Sequence, residues 1–227
     1  MTKYCLLIVC LGWFGVSQAQ VSNDPELLVR NRGSMFGYIK TYQPDPELEG
    51  DYLYFKELQP VTLHLKDGNG TFQIEKANLD LYNKALLVDI KDNMYAVSYT
   101  KIDSAVFEGV NVTDYQSLSS NVSESVLAIV LSKGEGTTLY KTIDIQVIKP
   151  TYNEALDTGN RNYVLRKKIK YFIDFGELGI LDASKKTKAF KGMPMYDNVR
   201  KFTKQNAINF ASDQDMIRLH RYIETLN

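Results

Sequence analysis

Residues 60–90, P-V-T-L-H-L-K-D-G-N-G-T-F-Q-I-E-K-A-N-L-D-L-Y-N-K-A-L-L-V-D-I, read as two β-hairpins in a row. Val61, Leu63 and Leu65 alternate with Thr62, His64 and Lys66, the period-two pattern of a strand with one buried face. Lys66-Asp67-Gly68-Asn69-Gly70 supplies residues that tolerate positive φ, so the chain turns and returns through Thr71 to Glu75. Leu79 and Leu81 alternate with Asn78, Asp80 and Tyr82. Asn83-Lys84 then fits a two-residue turn into Ala85 to Ile90.

The same pattern continues downstream. Asp92-Asn93 reverses the chain before Tyr95 to Tyr99, and a short strand fits Ser104 to Phe107. Gly109 to Glu124 is polar and rich in Ser and Asn, which predicts a long loop. Ser125 to Leu131 and Thr138 to Ile148 form the next pair, joined by Lys133-Gly134-Glu135-Gly136. The longest alternating run places Tyr163, Leu165, Ile169, Tyr171, Ile173 and Phe175 on one face, interrupted by Lys167, and Arg166, Lys168 and Lys170 on the other.

About nine strands without intervening helical patterns predict a mainly β (α+β) protein. The expected architecture is an antiparallel β-meander curling into a barrel or a two-layer sheet, with a C-terminal helical segment. Pro194 suits the start of a helix to about Lys204, with Met195, Val199 and Phe202 on one face. Ser212 followed by Asp215 reads as a helix cap, and Met216, Leu219, Ile223 and Leu226 form an apolar stripe. The predicted division is a β domain over 20–181 and a helical subdomain over 182–227 packed on the sheet.

The first nineteen residues have the form of a secretory signal: a positive start at Lys3, an apolar run from Leu6 to Val16, and small residues at Ser17 and Ala19. The run is shorter than the roughly 18 residues of a spanning helix, and Ser22, Asn23 and Asp24 follow at once, so export rather than membrane anchoring is expected. The destination is then the periplasm, the outer-membrane surface or the exterior. Both cysteines, Cys5 and Cys10, and the only tryptophan, Trp13, fall within this segment. An exported chain starting at Gln20 would have no thiol for a disulfide or a metal, and its fold would rest on its core.

Charge is balanced overall, with 27 basic and 27 acidic residues, but unevenly placed. Residues 20–160 carry 12 Lys and Arg against 20 Asp and Glu, whereas residues 161–204 carry 12 against 4. Such asymmetry means that the two parts pack together or that the basic part meets an anionic partner.

Three stretches carry a family resemblance: Tyr54-Phe55-Lys56-Glu57-Leu58-Gln59-Pro60, Leu65-Lys66-Asp67-Gly68, and Ala77 to Val88. With Gly33-Ser34 ahead of them and Asp215-Met216 to Leu226 closing the chain, they resemble the uncharacterised small secreted proteins of Bacteroidota-type bacteria, with Leu79 where tyrosine is usual there. The resemblance implies export and a β-rich fold with a helical end, and it implies no activity. It also makes Asp103-Ser104-Ala105 similar to that lineage's short acidic O-glycosylation signal. The N-x-S/T sequons at Asn69, Asn111 and Asn121 would matter only in a eukaryotic source.

No catalytic or cofactor constellation emerges. His64 falls on the polar face of a strand and His220 on the flank of the last helix, so each reads as a surface or boundary residue. Ser98-Tyr99-Thr100-Lys101 spells S-x-x-K but ends a strand and lacks the partner motifs. The acidic insert Pro44 to Asp51 begins like a calcium loop, with Asp45, Glu47, Glu49 and Gly50 in sequence. Lys56 then stands where the bidentate glutamate belongs.

The feature that implies a partner is the cationic row Arg166, Lys168 and Lys170, spaced about 7 Å per step. It suits an anionic lipid headgroup or glycan of the envelope, without sequence-specific nucleic-acid recognition. The leading expectation is a non-catalytic exported cell-envelope interaction or structural protein. Alternatives are a carrier of a small apolar ligand within the curled sheet, and a carboxylate-based hydrolase.

Overall fold

Alternating apolar residues, with turn residues at the hairpin tips, build one continuous sheet. The structure, a computed structural model, describes residues 21–22, 25–26, 28, 39–42, 51–66, 70–115, 126–152, 154–159 and 162–226. The signal segment, the insert over 43–50, and Asn69 and Asn121 lie outside the described residues.

In chain order the strands are β1 (Val21–Ser22), β2 (Ile39–Thr41), β3 (Gln59–Leu65), β4 (Thr71–Asp80), β5 (Ala85–Ile90), β6 (Asn93–Ser98), β7 (Ile102–Phe107), β8 (Val110–Asp114), β9 (Leu127–Lys133), β10 (Thr138–Ile148), β11 (Val164–Asp174) and β12 (Ile180–Asp182). They lie in the order β12-β11-β10-β9-β8-β7-β3-β4-β5-β6-β2. Every pair in that path is antiparallel, and β1 adds in parallel to the start of β4. β12 and β2 are the two ends of the order, so the sheet does not close into a barrel.

It folds back on itself as two layers. Ile143 and Ile145 of β10 pack on the core that Leu63, Phe72, Leu86, Ile102 and Phe107 form from β3, β4, β5 and β7. At the rim of that contact, Leu81 and Tyr99 line a depression together with Leu127, Ile143 and Ile145.

One part of the predicted loop is a strand. Val110–Asp114 pairs with both β7 and β9. Val112 is buried between the polar Asn111 and Thr113, so a two-valine alternation is enough here once a neighbour strand stands on each side. Gly109, at φ 72°, turns the chain between β7 and β8. Lys91 and Asp92, at φ 53° and 59°, form the equivalent turn between β5 and β6, as the favoured two-residue hairpin loops require. Ser104 sits inside β7, laddered to His64 and Thr113.

A second core lies where helices cover the end of the sheet. Leu139, Tyr171 and Ile173 face Phe190, Val199, Met216, Leu219 and Ile223, all buried. The helices are α1 (Tyr196–Gln205) and α2 (Asp213–Glu224), preceded by a kinked 3-10 segment, Ala183–Phe190. Ser212 caps α2 by accepting the Asp215 amide, at 3.4 Å. Leu131 touches both cores and joins them. No helix among the described residues is long and apolar enough to cross a membrane.

Candidate functional site

β11 pairs with β10 along its whole length, from Val164 opposite Ile148 to Asp174 opposite Thr138. Its even residues therefore share one face, and Arg166, Lys168 and Lys170 stand opposite Gln146, Asp144 and Thr142. Lys170 reaches Asp144 at 3.6 Å. Arg166 and Lys168 are exposed and make no ion pair or side-chain hydrogen bond among the described residues. On the opposite face Lys167 is engaged, donating to Asp51 and to the Leu53 carbonyl, both at 2.7 Å. The intervening lysine in the apolar run thus ties β11 to the segment entering β3.

Further along the cationic face, Tyr115 stacks on Tyr140 with ring centroids 4.5 Å apart, and its hydroxyl donates to Asp174. Burial first, and then that carboxylate, hold the Tyr115 phenol well above its ordinary value, so it stays a donor. This end of the row is closed by aromatic packing, whereas no aromatic pair among the described residues covers the Arg166 end.

Two polar devices fix the covered half, one at each end of α2. Lys141 is only 8% exposed and bonds Asp213 at 2.7 Å. Asp213 also accepts from the Tyr171 hydroxyl at 2.7 Å, so one carboxylate anchors the start of α2 to β10 and β11. The available signal was the alternation itself, which turns Lys141 inward between Leu139 and Ile143.

At the other end of α2, His220 is 1% exposed, which corrects the surface or boundary reading. The helix turns it toward the β9–β10 hairpin, where Thr137 Oγ1 lies 2.8 Å from Nε2. The Thr137 hydroxyl donates to Glu224, whose other oxygen accepts the Glu135 amide at 3.0 Å. With the hydroxyl proton given to Glu224, it is the imidazole Nε2–H that donates to Thr137.

That assignment leaves buried Nδ1 without a partner. A catalytic triad needs the reverse: a histidine taking the hydroxyl proton, and an acid on Nδ1. Thr137, His220 and Glu224 are therefore a structural clip. Burial pushes the His220 pKa down, and the Thr137 hydrogen bond first among its causes lowers that of Glu224. Gly134 lies so close that a Cβ there would meet the Glu224 carboxylate.

His64 is half-buried and bonds Thr71 at 2.9 Å across the β3–β4 ladder. Ser98 caps the single 3-10 turn Tyr99–Lys101, which accounts for that S-x-x-K in structural terms. No cluster of metal-ligating side chains occurs among the described residues.

The larger depression, about 780 Å³, runs over Pro25, Pro60, Gln73, Glu75, Val106 and Glu108. Charged side chains rim it. Lys91 pairs with Glu26, and Asp89 accepts from Lys76 at 3.4 Å. An apolar ligand would have to desolvate those groups on entry.

Compared with protein-family models, with curated proteins and with solved structures, the chain finds no match.

Proposed function

We propose that this is a non-catalytic exported protein of the cell envelope that holds an anionic envelope component on strand β11. The observation that carries the reading is the state of Arg166 and Lys168. Two exposed cations stand in register, without counter-ions among the described residues, at the end of a strand whose other lysines are both paired. Unpaired, co-facial cations raise the local potential and draw in a negatively charged partner. The predicted signal segment and the family resemblance support export.

The charged rim of the large groove favours this reading over a carrier of apolar ligands. The clip geometry of Thr137, His220 and Glu224 favours it over hydrolysis at that cluster.

The test is retention on anionic lipid vesicles and on a sulfated glycan as salt is raised, with the Arg166, Lys168 and Lys170 triple Ala variant alongside. Binding that weakens with salt and is lost in the variant supports the proposal. Binding unchanged by the three substitutions contradicts it.

A further inference from the structure

Among the described residues, the edge of β11 is covered along only part of its length. β12 is three residues long and pairs with Phe172, Ile173 and Asp174. One residue earlier, the Tyr171 amide donates outward to Ser184 Oγ at 3.0 Å. Amides alternate in direction along an antiparallel strand, so those of Leu165, Lys167 and Ile169 also point away from β10. No strand among the described residues takes them up. This stretch also exposes apolar side chains: Ile169 is 43% exposed, Val164 39% and neighbouring Val147 38%.

Resting on the reading of β11 as the binding strand, we infer that its anionic partner is an extended acidic polypeptide, added to the sheet as a further strand beside Val164–Ile169. Open backbone groups supply the affinity of such strand addition, and alternating side chains supply its specificity. A strand laid here would put every second side chain beside Arg166 and Lys168, and the others on the face of Leu165, Ile169 and Val147. Alternating acidic and apolar residues match both faces.

A second copy of β11 does not match, because pairing two such edges sets cation beside cation. The cations that protect this edge from its own kind also select a partner of opposite sign. A lipid headgroup or a glycan would use the cations but leave the outward amides without a strand.

The test uses the purified chain and fluorescein-labelled (Glu-Val)4, read by anisotropy. Three competitors are added: the same peptide N-methylated at alternate residues to remove its edge donors, phosphatidylglycerol vesicles, and heparin. The inference expects (Glu-Val)4 to bind and the N-methylated peptide to fail as a competitor. Arg166→Ala with Lys168→Ala is expected to weaken binding about five- to ten-fold, as two exposed charge pairs would. Circular dichroism shows whether that variant is folded. Equal competition by the N-methylated peptide overturns the inference. So does binding of vesicles or heparin without binding of (Glu-Val)4, although that result leaves the anionic-partner reading standing. Binding of none of the probes overturns both.

Discussion

The two halves of β11 share one ladder with β10 and differ in everything else. From Lys170 onward the strand is enclosed. Tyr171 and Ile173 are buried under α2 and the 3-10 segment, Tyr171 is hydrogen-bonded to Asp213, and β12 seals the edge. From Val164 to Ile169 the same strand has one strand neighbour among the described residues, exposes Val164, Arg166, Lys168 and Ile169, and pairs neither Arg166 nor Lys168 there. The difference teaches that strand pairing alone does not decide whether a strand is core or surface. What decides it is the cover on its free edge and inner face, and among the described residues the edge cover ends at Tyr171.

The contrast is sharpest in truncation. Ile173→Ala is expected to cost about 2–5 kcal/mol, because the residue is fully buried in the helix-covered core, whereas Ile169→Ala should stay within about 0.5 kcal/mol. Urea denaturation of the two variants makes the comparison, and equal losses would break it.

Next in size is the anchor at the start of α2. Asp213→Asn leaves the largely buried Lys141 ammonium without its counter-ion and is expected to cost about 1–3 kcal/mol. Lys141→Met together with Asp213→Asn should recover part of that loss, and a loss equal to the sum of the single variants would show that the pair does not couple.

The clip at the far end of α2 follows. Gly134→Ala displaces Glu224 and is expected to cost about 1–2 kcal/mol through the lost Thr137 and Glu135 hydrogen bonds. In a Glu224→Ala background the same substitution should cost little. A full cost there would mean that something other than the carboxylate opposes the methyl group.

The smallest effect is on pH dependence. The folded state holds His220 neutral, with its pKa below the ordinary 6.5, so the unfolded chain takes up the proton first as pH falls. The stability this contributes is complete above that value and is lost as pH falls through it toward the depressed folded pKa. Glu224, also depressed, adds a further loss below the ordinary carboxylate range. Denaturation followed from about pH 7.5 to about pH 5.5 should show declining stability, and His220→Gln should flatten that decline.

Much of this comparison could be read from the chain, and its boundary could not. Alternation over Tyr163 to Phe175 placed Arg166, Lys168 and Lys170 on one face, because that follows from the pleat alone. The helix cap at Ser212 and the stripe Met216, Leu219 and Ile223 were legible for the same local reason. Val110–Asp114 was hidden by its Ser- and Asn-rich surroundings, since its strand character depends on β7 and β9 rather than on propensity.

The clip joins Thr137 to His220 across 83 positions, and no local pattern encodes that distance. The open edge depends on where β12 happens to stop. That is a fact of pairing length, and the sequence Ile180-Leu181-Asp182 does not express it.

The central claim, an open edge over the first half of β11, is tested most directly by residue-resolved amide hydrogen exchange on the free protein. Arg166, Lys168 and Lys170, whose amides point to β10, should be protected, and Leu165, Lys167 and Ile169 should exchange far faster, with protection returning at Tyr171. Uniform protection from Leu165 to Tyr171 would contradict the account, because it would mean that another segment already occupies the edge.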